Sequence, residues 1–302
     1  MGGFCGPNRE EAKEGSKLSE RPRTLLKPDG SSSCSCPFAK ENAMRMSTVA
    51  LAFAGVMCFS GCAPTTGVTI PDTEAAGFLA VPEGDGPFPA VVLMHGCSGL
   101  DAEVQKGNAV HVRNLHSEGF ITLILDSFGP RRLGDVVCNE GEEEMEAFRY
   151  RQRDAVAAVR FLRSHPFVDA ENIFVMGQSH GGWVVLQLAV SRNYPVGDRF
   201  RAAVAYYPWC GDQQLRARLH TPVLVLIGES DDWTPADRCL EAERYARGAP
   251  FEVVVYEHAH HSFDLPMGGP YRYKGYTVAG HAGAAADSRK RMVAWFREHG
   301  NF

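Results

Sequence analysis

Apolar residues in this chain fall into short, uninterrupted runs separated by amphipathic or polar stretches. Such runs are typical of strands buried on both faces, because a strand with one face in water alternates polar and apolar residues. The runs predict strands at residues 77–82, 90–94, 120–125, 173–176, 202–207, 223–227 and 251–256. Longer stretches between and after them predict helices at residues 103–118, 142–164, 181–192, about 235–247 and 284–299.

The alternation of strands and helices predicts an α/β fold with a mostly parallel sheet covered by helices on both faces. Helix 142–164 carries one apolar stripe, formed by Met145, Phe148, Ala155, Val159 and Leu162. We expect its charged residues to face away from this stripe. In sheets of this kind ligands bind beyond the carboxyl ends of the strands, so functional residues are expected directly after strands.

One strand–helix junction, Gly177-Gln178-Ser179-His180-Gly181, has the sequence and setting of a nucleophile elbow. An apolar strand precedes it and an apolar helix follows it. The turn between them is so tight that Cβ atoms at Gly177 and Gly181 would collide with neighbouring backbone. Ser179 is therefore the candidate nucleophile, held in a strained backbone conformation at the start of the helix.

The loop after strand 223–227 contains the candidate acids. A serine hydroxyl needs a base within hydrogen-bond reach, and the base needs a carboxylate to fix its tautomer. After an elbow of this kind the chain order is serine, acid, histidine. Glu229, Asp231 and Asp232 compete for the acid. The turn that begins at Gly228 favours Asp231, with Asp232 as the alternative, and a role as a helix cap or turn carboxylate is open for either.

Three histidines, His258, His260 and His261, follow the last predicted strand and compete for the role of base. Their spacing would also suit a metal site. Because no second histidine cluster and no supporting carboxylate pattern accompany them, we predict neither a metal nor a cofactor.

Two backbone amides are candidates for binding the oxyanion of an acyl-transfer intermediate. One belongs to His180, the residue after the nucleophile, and the other to Cys97 in the loop that begins at His95. The thiol of Cys97 is a competing nucleophile, but it has no elbow around it.

Composition narrows the possible partners. The chain has 302 residues, 44% of them hydrophobic and 22% charged, and a net charge of −5 without a long basic run, which argues against nucleic acid. Of its nine cysteines, the catalytic region contains Cys97, Cys138, Cys210 and Cys239. An even number suits two disulfides in an oxidising compartment, with three connectivities open, and four buried free thiols are the alternative.

The N-terminal region predicts export. Residues 1–43 are rich in Gly, Pro, Ser, Lys and Glu, which indicates a disordered extension or a start site placed too early. The apolar run Ser47–Phe59 is too short to span a membrane and suits a signal peptide. It leads into Ser60-Gly61-Cys62, which resembles a bacterial lipobox except that Phe59 stands where Leu is usual. We therefore expect a signal peptide at 44–62, a possible lipid anchor at Cys62, a single α/β domain at 63–302 and a periplasmic, membrane-anchored protein. If the extension is part of the protein, a cytoplasmic location is expected instead.

Four motifs of the chain resemble those of the dienelactone hydrolase family of α/β-hydrolases: MHGCSG at 94–99, GQSHGG at 177–182, GESDDWTPA at 228–236 and YEHAHHSFD at 256–264. The resemblance spans residues 77–299 and implies an α/β-hydrolase fold. It places the family's nucleophile on Ser179, its acid on Asp231 and its base on His261, because the family's histidine precedes Ser-Phe or Gly-Phe after a strand that ends in Tyr.

The chain also departs from the family. The founding members use a cysteine nucleophile, where Ser179 stands here, and their glutamate in the loop after the third strand has no counterpart in residues 95–100. The resemblance therefore implies a serine hydrolase acting on a small carboxylic ester or lactone through an acyl-enzyme, rather than on dienelactone itself.

Other functions stay open beside this one. They are a peptidase or acyltransferase on the same triad and a non-catalytic, membrane-tethered binding lipoprotein. The family fold also implies disulfides Cys97–Cys138 and Cys210–Cys239, because the members of each pair follow neighbouring strands. Substrate specificity is expected in loops 127–141, 207–220 and 264–283, and the oligomeric state is left open.

Overall fold

The computed structural model describes residues 56–57, 65–139, 141–190, 194–211 and 218–302. All of them lie in one compact unit of the chain, Leu51–Phe302. The predictions for residues 1–43 and for the signal peptide and lipobox at 44–62 concern residues outside this description, apart from the first short strand.

A nine-stranded sheet forms the centre of the molecule. Its strands are β1 (Val56–Met57), β2 (Thr65–Thr69), β3 (Ala76–Ala80), β4 (Phe88–Met94), β5 (Ile121–Asp126), β6 (Val168–Gln178), β7 (Ala203–Tyr206), β9 (Val223–Gly228) and β11 (Phe251–Tyr256). They are arranged in the order β1-β2-β3-β5-β4-β6-β7-β9-β11. All pairings from β5 to β11 are parallel, whereas β1, β2 and β3 pair antiparallel. The predicted mostly parallel sheet is confirmed.

Two small ladders lie outside this sheet. One joins β8 (Arg218–Leu219) and β10 (Arg247–Gly248), and the other is a hairpin of β12 (Tyr271–Tyr273) and β13 (Tyr276–Val278). Neither was expected from the sequence, and neither was β2. The cause is that these short strands lack the long apolar runs that marked the central ones.

The α-helices follow the predicted pattern closely. Among the described residues they are α1 (Ala102–Ser117), α2 (Glu142–Arg163), α3 (His180–Val190), α4 (Ala236–Tyr245) and α5 (Ala282–His299). A short 3₁₀-helix at Asp135–Cys138 interrupts the loop predicted before α2. Within the described part of the chain, no helix combines the length and apolar character that a membrane span requires.

The hydrophobic core lies on both faces of the central strands. The predicted apolar runs at 90–94, 173–176 and 223–227, in β4, β6 and β9, are buried throughout, and so is β7. By contrast β11, the edge strand, is only half-buried, because it has a neighbour on one side alone.

The prediction that the apolar stripe of α2 is buried and its charged residues are exposed is wrong at three positions. Met145, assigned to the apolar stripe, is exposed, whereas Arg151 and Asp154 are buried. Asp154 accepts two hydrogen bonds from the guanidinium of Arg131, at 2.9 and 3.0 Å. A buried charge is tolerated when it is paired and hydrogen-bonded, and helical periodicity alone does not reveal such partners.

The expected disulfides Cys97–Cys138 and Cys210–Cys239 are both present. The first joins the loop after β4 to the 3₁₀-helix before α2. The second joins the segment after β7 to α4. Both therefore brace loops at the carboxyl edge of the sheet, where the candidate functional residues lie.

Candidate active site

Ser179 lies in the turn between β6 and α3, with a φ of 52°. This left-handed conformation is uncommon for a residue other than glycine. A Cβ at Gly181 would lie 2.5 Å from the carbonyl oxygen of Met94, and one at Gly177 would overlap the carbonyl of Gly181. The glycines are therefore required for the close approach of backbones that the elbow creates, as the sequence predicted.

Ser179, His261 and Asp231 form a continuous hydrogen-bonded chain. Ser179 Oγ lies 2.9 Å from Nε2 of His261, and Nδ1 of His261 lies 2.8 Å from Oδ2 of Asp231. With the proton on Nδ1, the imidazole donates to Asp231 and its Nε2 accepts from the serine hydroxyl. This is the arrangement in which a histidine can remove the serine proton.

The carboxylate of Asp231 is buried and held on several sides. Its Oδ1 accepts from the amides of Trp233 at 2.9 Å and Thr234 at 2.8 Å, and its Oδ2 accepts from the hydroxyl of Thr234 at 2.9 Å. These bonds fix the orientation of the group that orients His261. Thr234 was not singled out from the sequence, although its position three residues after the acid is typical of such a turn.

The alternative acid, Asp232, points away from the histidine. It accepts hydrogen bonds from the amide and hydroxyl of Thr277 and from Arg272, and so ties its loop to the β12–β13 hairpin. Burial acts to raise the pKa of Asp232, but these bonds outweigh it and hold the pKa below its usual value. The sequence left open which of the two aspartates contacts the histidine. In the structure Asp231 does, and Asp232 binds the hairpin instead.

The three clustered histidines do not converge. His258 is exposed beside Glu229, and His260 is hydrogen-bonded to the carbonyl of Ser230 at 2.9 Å. His261 alone of the three reaches Ser179. Within the described residues, no group of three or more His, Cys, Asp or Glu side chains is placed to hold a metal ion.

The two amides predicted to bind an oxyanion lie on either side of the nucleophile. His180 is the first residue of α3, where amides have no acceptor within the helix. Cys97 belongs to the loop after β4, and a Cβ on its neighbour Gly96 would lie 3.5 Å from the Cβ of Ser179. Both residues therefore stand close to the position that a reacting carbonyl would occupy.

A fully buried arginine lies behind these two segments. Arg151 Nη2 donates to the carbonyl oxygen of His95 at 2.5 Å, and Nη1 donates to Nδ1 of His180 at 2.7 Å. Burial lowers the pKa of Arg151 to about 10, which still leaves it charged at neutral pH. Burial, together with this charge, lowers the pKa of His180 to about 3, so its imidazole stays neutral and accepts from the arginine.

A second buried carboxylate, Asp264, lies three residues after the candidate base. It accepts hydrogen bonds from Gln178 at 2.7 Å and Tyr207 at 2.6 Å, and it lies 2.7 Å from Nε2 of His111. Burial opposes its ionisation, but these partners keep its pKa below the usual value. Gln178 adjoins the nucleophile and the Tyr207 ring lies 4.6 Å from that of His261, so Asp264 supports both.

Sequence reasoning missed Arg151 and Asp264. Helical periodicity placed the charges of α2 in solvent, and no motif marked a second acid. One signal was present for Asp264, since it closes the YEHAHHSFD motif at 256–264.

Ser179 on its elbow, with a histidine and an aspartate supplied by the ends of later strands, places this protein in the class of α/β-hydrolases. The chain belongs to the dienelactone hydrolase family, which it matches over residues 75–300. The family membership makes it a carboxylic-ester hydrolase.

Individual proteins agree with this placement. A Salmonella typhimurium protein named "Putative carboxymethylenebutenolidase" is 30% identical over 252 residues, which cover 76% of this chain and 84% of that protein. Among solved structures, a dienelactone hydrolase-like promiscuous phosphotriesterase from metagenomic libraries has a TM-score of 0.58 at 24% identity, covering 78% of this chain and 97% of its own. Esterase 2 of Thermogutta terrifontis has a TM-score of 0.56 at 16% identity, covering 80% and 96%. These structural likenesses bear on the fold alone.

Proposed function

We propose that this protein cleaves small carboxylic esters or lactones through an acyl-enzyme formed on Ser179. The observation that carries the proposal is the hydrogen-bonded chain from Ser179 Oγ through His261 to Asp231, with 2.9 and 2.8 Å between the paired atoms. A nucleophile, a base within reach and a carboxylate behind the base are the components that acyl transfer requires.

In the proposed reaction Ser179 Oγ attacks the carbonyl carbon of the ester while its proton passes to Nε2 of His261. The negative charge that develops on the carbonyl oxygen is stabilised by the amides of Cys97 and His180. The bond between the carbonyl carbon and the leaving oxygen then breaks, and that oxygen takes the proton from His261. A water molecule then attacks the acyl carbon and gives a proton to Nε2 of His261. The bond between that carbon and Ser179 Oγ breaks, and Oγ takes the proton, which releases the acid and restores the enzyme.

Labelling with a fluorophosphonate tests the nucleophile. We expect the wild type to take up one label per chain and Ser179→Ala to take up none, with hydrolysis of an aryl ester lost in parallel. Ser117→Ala, which removes a hydroxyl on α1 that bonds only its own helix, is the control and should label fully. Absence of labelling in folded wild type would refute the proposal and favour a non-catalytic binding protein.

We also propose that the protein is exported and anchored through Cys62. The disulfides Cys97–Cys138 and Cys210–Cys239 support export, because disulfides persist in oxidising compartments. Metabolic labelling with a radioactive fatty acid should mark the wild type and not Cys62→Ser. Equal labelling of both proteins, or of neither, would contradict anchoring at this residue.

A further inference from the structure

Two cavities flank Ser179, and the indole of Trp233 borders both. The histidine-side cavity, of about 300 Å³, includes His261, Ser262, Leu265, Met267, Tyr271 and Val278 in its lining. The tryptophan cavity, of about 370 Å³, includes His180, Trp183, Trp209, Thr234 and Tyr276. Ser179 lines the two cavities, so a substrate bound at its hydroxyl has space on either side.

The indole between the cavities is held in place. Its ring stacks on Tyr276, with 4.8 Å between centroids and 10° between planes, and it lies 4.9 Å from the ring of His261. The amide of Trp233 also donates to Asp231, which fixes the backbone beneath the ring. These contacts define the position of the indole at the border of both cavities.

The path of the proton indicates which cavity takes the alcohol part of the ester and which takes the acyl part. The leaving oxygen must take its proton from Nε2 of His261, so the alcohol part has to lie on the side that His261 lines. The acyl part then extends the other way, past His180 and into the tryptophan cavity. Three tryptophans and Tyr276 line that cavity, which suits an apolar or aromatic acyl group.

We infer that the substrates are acyclic esters without an anionic group, whose acyl and alcohol parts occupy separate cavities. The inference rests on the proposed function, with Ser179 as nucleophile. In a lactone the acyl carbon and the leaving oxygen belong to one small ring, so a lactone would fill one side of Trp233 and leave the other cavity unused. The charged groups among the described lining residues are the carboxylates Asp101, Glu103 and Glu144, with no Lys or Arg, which disfavours anionic esters.

A matched pair of substrates tests the acyclic preference. Phenyl propanoate and dihydrocoumarin contain the same acyl chain and the same phenolic leaving group, joined into a ring only in the second compound. We expect kcat/KM, divided by each compound's rate constant with hydroxide, to favour phenyl propanoate by about tenfold or more, the size of discrimination that pocket contacts supply. A ratio that favours dihydrocoumarin would overturn the inference.

Matched variants test the assignment of the cavities. Trp209 and Tyr271 line opposite cavities and are 41% and 45% exposed, so truncating either leaves the core intact. Trp209→Ala should change the dependence of kcat/KM on acyl length and leave its dependence on alcohol size unaltered. Tyr271→Ala should do the reverse. The assignment is wrong if both variants alter the same dependence or if neither alters any.

The outcomes separate this inference from the proposed function. If fluorophosphonate labels Ser179 and esters are hydrolysed, but lactones are preferred, only the inference on substrate shape fails. If neither labelling nor hydrolysis occurs in folded protein, the proposed function fails and the inference falls with it. Preference for a monoester of a dicarboxylic acid over its neutral analogue would overturn the part that concerns charge.

Discussion

The guanidinium of Arg151 lies 2.7 Å from the imidazole of His180, measured between Nη1 and Nδ1, inside a fully buried site. Both of its hydrogen-bond acceptors, this nitrogen and the carbonyl oxygen of His95, are neutral. A buried charge held by neutral acceptors is costly. The Arg151 guanidinium joins the two segments that contain the candidate oxyanion amides. Positioning of these amides would explain why a costly buried charge is present.

Replacing Arg151 by Met should therefore lower kcat while changing KM little. The amides of Cys97 and His180 would lose the anchor that aligns them, and one misaligned donor costs on the order of 10²-fold in kcat. Arg151→Lys should recover part of the loss, since it keeps the charge. Steady-state kinetics on an aryl ester, with thermal unfolding to verify the fold, would measure both. An unchanged kcat in folded Arg151→Met would show that the arginine serves packing alone.

Neighbouring aspartates should differ sharply in their effect on catalysis. Asp231→Asn is expected to reduce kcat by roughly 10⁴-fold, because an amide in place of the carboxylate favours the wrong tautomer of the histidine. Asp232→Asn should keep most of the activity, because Asp232 bonds Thr277 and Arg272 rather than His261. The pair is compared by kcat on one ester at pH 7. A larger loss in the second variant would reverse the assignment of the acid.

Removal of either disulfide should lower stability, but only removal of Cys97–Cys138 should also lower activity. Removing either pair by serine substitution is expected to cost about 2–4 kcal/mol of unfolding free energy. The pair Cys97–Cys138 should also lower kcat, since Cys97 supplies a candidate oxyanion amide. The pair Cys210–Cys239, further along the edge of the sheet, should not. Denaturant unfolding and ester hydrolysis of the two double variants provide the comparison, and equal kinetic losses would contradict it.

Acid should destabilise the protein well before its carboxylates protonate. The pKa of His180 is about 3 in the folded protein, lowered by burial and by Arg151 from an ordinary 6.5. Between these values the unfolded chain binds the additional proton, so stability is retained above pH 6.5 and declines as the pH falls below it. The expected slope from this residue is about 1.4 kcal/mol per pH unit.

Burial is the main cause that lowers the pKa of His95, and the charge of Arg151 is the second. His95 therefore adds to the loss of stability as the pH falls. Denaturant unfolding between pH 6.5 and 4.5 measures the slope. His180→Asn retains an acceptor for Arg151 but cannot titrate, and should show a shallower slope. Asp264 does not interfere in this window, because its lowered pKa makes its own contribution disappear only at more acidic pH. A slope identical in the two proteins would argue against the buried neutral histidine.

The order of strands and helices could be predicted because the buried strands of this fold are also continuous apolar runs in the sequence. Strands such as β4 and β9 are buried on both faces and read as continuous apolar runs. The hairpin β12–β13 could not be predicted in this way. Its strand residues other than Val278 are exposed or half-buried, and long-range bonds from Arg272 and Thr277 to Asp232 help to hold it in place.

The sequence by itself determined the elbow at Ser179, because a turn that requires glycine at Gly177 and Gly181 is a local property of the chain. It also placed the candidate acid and the candidate base after particular strands, within short sets of alternatives. The tertiary structure decided which members of those sets meet, since residues separated by 82 positions, as Ser179 and His261 are, come together only when the sheet forms. It alone placed Arg151 and Asp264, because the stability of a buried charge depends on partners that are distant in sequence.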